Sequence, residues 1–375
     1  MKLSIVVPTR NEVENIGPLL ARIERATRGL PTEVIFVDDS SDRTPERIQE
    51  LCHQFSFDVS LVTRPPGRRD GGLGGAVVEG CRAARGYWVC VMDADLQHPP
   101  ELIPRLLARA EETAADIVLG SRLAKGGSTY GLGLRRSVVS RVLAITARAL
   151  FPVRLRGISD PMTGFFLVRR SGIDLDRLRP DGFKILLEIL VRCPTLRVSE
   201  VPFRFGRRQA GRSKSSLHEG VRLLRLFLRL ADRHFPRFLV VGESGFIVNN
   251  FVLAMLKELA GLHYLVSAVM ATQASTLWNF GLTETWVFPD RGHDRSRLQR
   301  LAMFFLLNNA ALVLRGPILF VLTGILGLHY LTSNMISLLT LTVLRYALAG
   351  RWIWPKARRA RRMLDSYAPE ARNPT

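Results

Sequence analysis

Trp88-Val89-Cys90-Val91-Met92-Asp93-Ala94-Asp95-Leu96-Gln97-His98-Pro99-Pro100 is the stretch that decides how this chain is read. A run of apolar, strand-forming residues ends in two carboxylates spaced by one residue, and a prolyl turn leads into helical periodicity from Glu101. In an open α/β sheet, ligands bind at the carboxyl ends of the strands. If the strand continues through both aspartates, Asp93 and Asp95 point the same way and can share a cation. Such an oxygen set suits Mg²⁺ or Mn²⁺, which complete their shell with substrate phosphates and water. Gln97 could add a neutral oxygen. At this point the alternative stays open that the two aspartates are solvated and cap the helix that follows.

Working outward, Leu3–Val7, Glu33–Asp38, Asp58–Val62 and Asp116–Gly120 read as further buried strands. Helical stretches over Asn15–Arg28 and near 45–55, 75–85 and 101–113 alternate with them, which predicts an α/β fold with a mostly parallel sheet. Polar clusters follow the strands: Pro8-Thr9-Arg10-Asn11-Glu12 after the first and Asp38-Asp39-Ser40-Ser41-Asp42 after the second. Side by side with Asp93 and Asp95, they would line an edge suited to a nucleotide. Gly71-Gly72-Leu73-Gly74-Gly75 opens a helix behind Arg64, Arg68 and Arg69. It is either a close approach of backbone to phosphate or a flexible turn with solvated arginines.

The chain has 375 residues, 53 Lys and Arg against 33 Asp and Glu, and a formal charge of +20. That balance fits nucleic acid, anionic lipid or a phosphorylated substrate. Aromatic interleaving is missing from the basic stretches, which argues against nucleic acid. The apolar part of Met1–Pro8 is too short for a signal peptide and reads as a first strand. Four cysteines without C-x-x-C spacing read as reduced thiols of a cytosolic half.

From Phe238 onward, four apolar segments of near-spanning length occur at about 238–256, 264–282, 301–322 and 331–350. They read as two membrane hairpins joined by a loop carrying Arg291, Arg295, Arg297 and Arg300 and followed by a basic tail. The positive-inside tendency then puts both chain ends in the cytoplasm. Polar residues within the spans (Glu243, Asn249, Asn250, Asn279, Asn308, Asn309, Arg315, Asn334 and Arg345) serve packing or a pathway, and Arg315-Gly316-Pro317 suggests a kink. Two basic amphipathic stretches, 134–151 and 217–231, read as helices lying in the headgroup plane. The first sets Leu134, Val138, Val142 and Ile145 among arginines, the second Leu217, Val221, Leu224 and Leu228.

The chain resembles family 2 glycosyltransferases, and most of all the polyprenol-phosphate (dolichol-phosphate) mannose synthases. The motifs that carry this are Val6-Val7-Pro8-Thr9-Arg10-Asn11-Glu12, Val37-Asp38-Asp39-Ser40, Gly72-Leu73-Gly74 and Asp93 to Pro100. Gly120-Ser121-Arg122, Asp160-Pro161-Met162-Thr163-Gly164-Phe165 and Arg208 to Lys214 follow in the expected order. Arg10 departs from the motif, where the family usually has Tyr. The membrane part resembles GtrA-like domains. The expected organisation is a Rossmann-like, GT-A type domain over 1–235, a four-helix transmembrane domain over 236–354 and a basic cytoplasmic tail over 355–375.

The resemblance implies a divalent cation, Mg²⁺ or Mn²⁺, on Asp93, Asp95 and Gln97. It implies a nucleotide-sugar donor, GDP-mannose, held by Pro8, Arg10, Glu12, Val37, Asp39, Arg68, Asp93, Ala94, Asp95, Lys184, Arg208 and Lys214. Arg122, Arg136 and Ser140 would receive the phosphate of a polyprenyl phosphate acceptor, with Asp93, Asp95, Arg122 and Arg208 as the catalytic set. A phosphomonoester with a second pKa of about 6 is already ionised near neutral pH, so no dedicated base is expected. The other functions considered are transfer from a UDP-sugar to undecaprenyl phosphate and a non-catalytic subunit that flips lipid-linked sugar.

Overall fold

The computed structural model describes residues 1–182, 184–206, 217–291 and 295–355. The chain divides into two compact units, Met1–Leu230 and Ala231–Thr375.

In the first unit, β1 (Leu3–Thr9), β2 (Thr32–Asp38), β3 (Asp58–Thr63), β4 (Trp88–Val91), β5 (Ile117–Ser121), β6 (Phe166–Arg169) and β7 (Val198–Pro202) form one sheet. Its order is β3-β2-β1-β4-β6-β5-β7. Every pairing is parallel except those of β6, which runs against both β4 and β5. Helices α1 (Ile16–Ala26), α2 (Thr44–Leu51), α3 (Gly72–Ala83) and α4 (Ile103–Glu112) cover it, followed by α5 (Gly133–Leu150), α6 (Ile185–Arg192) and α7 (Leu217–Leu230). β1 and β2 are buried along their whole length, as apolar runs covered by helices on both faces must be.

The expected α/β class holds, with two strands beyond those read from sequence. β6 and β7 are four and five residues long, too short for a periodic signal. β4 also stops at Val91 rather than continuing through the aspartates. Met92 N–H still reaches Val6 O at 3.2 Å, but Leu96 then takes a left-handed φ of 62° and turns the chain away. Asp93 and Asp95 are therefore loop residues, and strand alternation does not set their directions.

The two amphipathic helices behave differently. α5 buries its small residues, Ser137, Ala144 and Ala147, and leaves Leu134 and Ile145 exposed beside exposed Arg135, Arg136, Arg141 and Arg148. α7 buries Leu223, Leu226 and Phe227, with Phe227 packed near Phe151. Its Leu224 and Leu228 are half-buried.

The second unit holds α8 (His234–Ala254), α9 (Tyr264–Leu282), α10 (Arg297–Leu319) and α11 (Tyr330–Leu348), each running on into a π-helical turn. Among the described residues, three stretches, His234–Leu259, Arg297–Ile325 and Tyr330–Ile353, are long and apolar enough to cross a membrane. α9 is not among them, because Ser267, Thr272, Gln273, Ser275, Thr276 and Asn279 reduce its apolar character. α10 continues through Pro317 and changes to π geometry from Phe320.

Candidate active site

The sheet order brings the expected loops together. β1 lies between β2 and β4, and α/β connections leave β1 toward opposite sides, so the switch point falls at its carboxyl end. Along this edge come, in order, Arg64 after β3, Asp38 and Asp39 after β2, Thr9 to Glu12 after β1, and Asp93 to His98 after β4. The segment before the antiparallel β6 (Asp160 to Phe165) and Arg122 after β5 complete it.

Side-chain bonds stitch the first three loops. Thr9 Oγ1 donates to Asp38 Oδ1 at 2.7 Å, and Asp38 Oδ2 accepts Ser40 N–H at 3.0 Å. Asn11, at φ 56°, accepts Ser41 N–H on its Oδ1 at 2.9 Å, a use of the left-handed region that Asn tolerates well. Asp39 is gripped by buried Arg64, whose Nε donates to Oδ1 at 2.8 Å. The same guanidinium reaches Gly72 O at 2.8 Å and Asp70 O at 3.2 Å. Arg64 thus ties the acidic loop to the glycine stretch; its burial, which sequence did not reveal, makes it a positioning residue.

The glycines themselves serve packing. Gly71 and Gly72 have φ of 72° and 57°, and Gly74 N–H bonds Gly182 O at 2.7 Å. A Cβ on Gly71 would lie 2.8 Å from Pro180 O, and one on Gly75 would lie 2.1 Å from Asp70 O. Close approach of backbone to backbone accounts for this stretch. Arg68 is exposed on the turn before it.

Around the Asp-x-Asp loop, Asp95 is buried and Asp93 is about one-third exposed at its side chain, 36%. Gln97 N–H donates to Asp95 Oδ1 at 3.1 Å. The Gln97 side chain is buried, and its Nε2 donates to Gly206 O at 3.0 Å while Gly206 N–H returns a bond to Gln97 O at 2.9 Å. The structure gives Gln97 this clasp. His98, fully enclosed, accepts Asp93 N–H on Nδ1 at 3.1 Å and sits 5.2 Å from the Phe165 ring and 5.4 Å from that of Phe205. Burial pushes its pKa down to about 4 against the pull of Asp95, so the ring is neutral and Nδ1 is an acceptor. Gly164 lets the loop close: a Cβ there would meet Asp93 Oδ2 at 3.3 Å.

Arg122 is placed otherwise than expected for an open phosphate clamp. Its Nε and Nη2 donate to Asp160 Oδ2 and Oδ1 at 2.7 and 3.0 Å, with both residues buried. Arg136 is exposed and Ser140 half-buried on α5. Lys184 is half-buried and donates to Met162 O at 2.9 Å. Pro8, Val37 and Ala94 are buried, and a Cβ on Gly80 would come within 3.1 Å of Val37 Cγ2, so the Val37 side chain belongs to the core. Arg10 is exposed and Glu12 half-buried, with Glu12 Oε2 accepting Asn15 Nδ2–H at 2.7 Å. Arg208 and Lys214 lie outside the described residues. Among the described residues no group of three or more His, Cys, Asp or Glu could hold a metal.

Two family models match this chain: glycosyl transferase family 2 over residues 4–175, and the GtrA/DPMS transmembrane domain over 237–354. A dolichol-phosphate mannosyltransferase of Pyrococcus furiosus is 37% identical over 363 residues, 94% of this chain and 99% of that one. The chain belongs to glycosyl transferase family 2. It is a glycosyltransferase whose catalytic unit is followed by a GtrA/DPMS transmembrane domain. The dolichol-phosphate mannosyltransferase of Saccharomyces cerevisiae is 38% identical over 232 residues, 58% of this chain and 82% of that one. A solved glucosyl-3-phosphoglycerate synthase of Mycobacterium tuberculosis, at 20% identity and a TM-score of 0.46, covers 61% of this chain and 80% of that one.

Proposed function

We propose that this glycosyltransferase moves mannose from GDP-mannose to a polyprenyl phosphate such as dolichyl phosphate at the cytoplasmic membrane face, with inversion at the sugar carbon. The observation that carries this reading is the near end-to-end similarity to dolichol-phosphate mannosyltransferases in a chain whose Asp-x-Asp loop lies at the switch point of its sheet.

Asp93 and Asp95 are oxygen donors of the kind Mg²⁺ or Mn²⁺ takes, and they fit such an ion. When bound, it would offset charge on the departing diphosphate. The chain's own residues set the rest. The neutral His98 fixes the backbone at Asp93, the Gln97–Gly206 clasp holds the loop, and Arg64 fixes Asp39 where the nucleoside would lie. Exposed Arg10, Arg68 and Arg136 supply positive charge for phosphates. The acceptor phosphate arrives ionised, so positioning and leaving-group stabilisation suffice. Exposed Leu134 and Ile145 beside the arginines of α5 support contact with a lipid surface.

The cytoplasmic orientation is supported inside the membrane unit. Arg291 Nη1 donates to Gly350 O at 2.9 Å and Arg295 reaches Trp352 O, while Arg233 pairs with Asp290. The start of α8, the basic loop before α10 and the end of α11 thus gather at one end, as the positive-inside tendency requires. The test is transfer by membranes offered labelled GDP-mannose, UDP-glucose and a polyprenyl phosphate. Mannosyl lipid from GDP-mannose is expected. Product from UDP-glucose alone would sink the mannose assignment, and no lipid product from either donor would favour a transport subunit.

A further inference from the structure

Glu200 lies on β7 at the edge of the sheet, paired in register with Leu119 of β5. Alternation along the strand turns Ser199 toward α4, where its Oγ accepts Arg109 Nε–H at 2.9 Å, and Glu200 to the other face. There its carboxylate grips two successive residues of another segment. Ser159 N–H donates to Oε1 and Oε2 at 3.1 and 3.2 Å, and Ser159 Oγ donates to Oε2 at 2.5 Å. Asp160 N–H donates to Oε1 at 3.2 Å. Ser159 Oγ also lies 2.9 Å from Ser121 Oγ, at the end of β5.

The residues so held lead straight to Arg122. The Asp160 carboxylate takes Arg122 Nε–H and Nη2–H at 2.7 and 3.0 Å, and both residues are buried. Fixing the backbone at 159 and 160 fixes the direction of that carboxylate, and the two-pronged pair passes the direction on to the guanidinium plane. The Phe205 ring, 5.4 Å away, lies against one face of that plane. A guanidinium has five N–H donors in a rigid fork, and the pair uses the Nε/Nη2 edge, so a phosphate would meet the Nη1 edge.

We infer that Glu200 is a positioning residue for transfer: through Ser159 and Asp160 it orients Arg122 toward the phosphate of the lipid acceptor. This role rests on the proposed acceptor and on Arg122 as a group that receives it. Charge alone attracts a phosphate from any angle, but a fork-like match needs the guanidinium plane held in place. The effect of Glu200 therefore falls on the acceptor. The other parts of the site have supports of their own: Arg64 holds Asp39, while His98 and the Gln97–Gly206 clasp hold the Asp-x-Asp loop.

The experiment uses the full chain in phosphatidylcholine nanodiscs and two measurements. One is equilibrium binding of labelled dolichyl monophosphate; the other is steady-state transfer with acceptor and GDP-mannose varied in turn. Glu200→Gln is expected to weaken lipid binding and raise the acceptor KM about tenfold, with the KM for GDP-mannose unchanged. Ser159→Ala, which removes only the hydroxyl bond, should give a smaller shift of the same kind. Arg122→Lys keeps the charge but loses the fork, and adding Glu200→Gln to it should weaken binding less than about twofold further. Glu33→Gln is the structural control. It removes a carboxylate on β2 that likewise holds a serine hydroxyl and a backbone N–H, and it should leave the acceptor KM where it is. An unchanged acceptor KM in Glu200→Gln, equal shifts in both KM values, or a full tenfold loss on top of Arg122→Lys would overturn the positioning role and leave the proposed function standing. A wild type that neither binds dolichyl monophosphate nor transfers mannose would sink the proposed function, and this role with it.

Discussion

Arg122 and Asp160 form a fully buried, two-pronged ion pair, Nε to Oδ2 at 2.7 Å and Nη2 to Oδ1 at 3.0 Å, directly behind the Asp-x-Asp loop. The Arg122 backbone N–H also meets Asp160 Oδ2 at 3.2 Å, and the guanidinium lies 5.4 Å from the Phe205 ring. Asp160 is held in turn through its N–H by Glu200. Removing the carboxylate leaves a buried cation unpaired. Asp160→Ala is expected to destabilise the catalytic unit by about 3–5 kcal/mol, read as a fall in thermal unfolding midpoint, with Asp160→Asn intermediate.

Asp93 and Asp95 lie in the loop that follows β4, at the switch point of the sheet. Asp93→Asn and Asp95→Asn should each lower transfer at least about 100-fold, as expected when a group that stabilises the leaving charge is removed. Their unfolding midpoints should stay near wild type. Chelation of divalent cations should abolish the wild-type rate, and added Mg²⁺ or Mn²⁺ should restore it. A chelated enzyme that keeps its rate would remove the cation from the proposal.

The glycine stretch offers a test of packing against conformation. Gly75 has an ordinary helical backbone, yet a Cβ there would lie 2.1 Å from Asp70 O and 2.8 Å from Arg64 Nη1. Gly29 has φ 77° with nothing within 4 Å of its would-be Cβ. Gly75→Ala should cost about 3 kcal/mol by overpacking and shift Arg64, lowering donor affinity as well. Gly29→Ala should cost only about 1 kcal/mol of left-handed strain and leave donor affinity unchanged. Calorimetric unfolding and donor titration of the two proteins would separate these effects.

Acid stability should report on Glu33, at the opposite edge of the sheet. Burial pushes its carboxyl up, but Ser4 Oγ, Arg85 N–H and Arg85 Nε all donate to it and together hold its pKa below the ordinary 4.5. A carboxyl depressed in the folded state contributes stability above its unfolded pKa and loses it as pH falls through the folded one. Glu33→Gln should therefore be less stable than wild type at pH 7, and the gap should close below about pH 4. A gap independent of pH would show that the charge of Glu33 does not stabilise the fold.

Sequence by itself determined the α/β class, because buried parallel strands must be apolar along their length while the helices between them keep a polar face. It also marked Asp93 and Asp95, the loops that stand beside them, and the apolar stretches of the second unit, since composition alone decides whether a segment tolerates hydrocarbon. Tertiary structure decided what distant residues do to one another. The short β6 enters the sheet antiparallel and brings Asp160 to Arg122, a pairing across 38 positions that no local period encodes. Burial then turned Arg64 onto Asp39, kept His98 neutral beneath Asp93, and drew Gln97 to Gly206. A buried polar group must find a partner inside the protein, and which partner is within reach depends on the packing of the whole sheet. The same rule joins Arg315 to Asn334 and Arg345 to Asn308: the residue types are plain in the sequence, but the pairings appear only when the hairpin is closed.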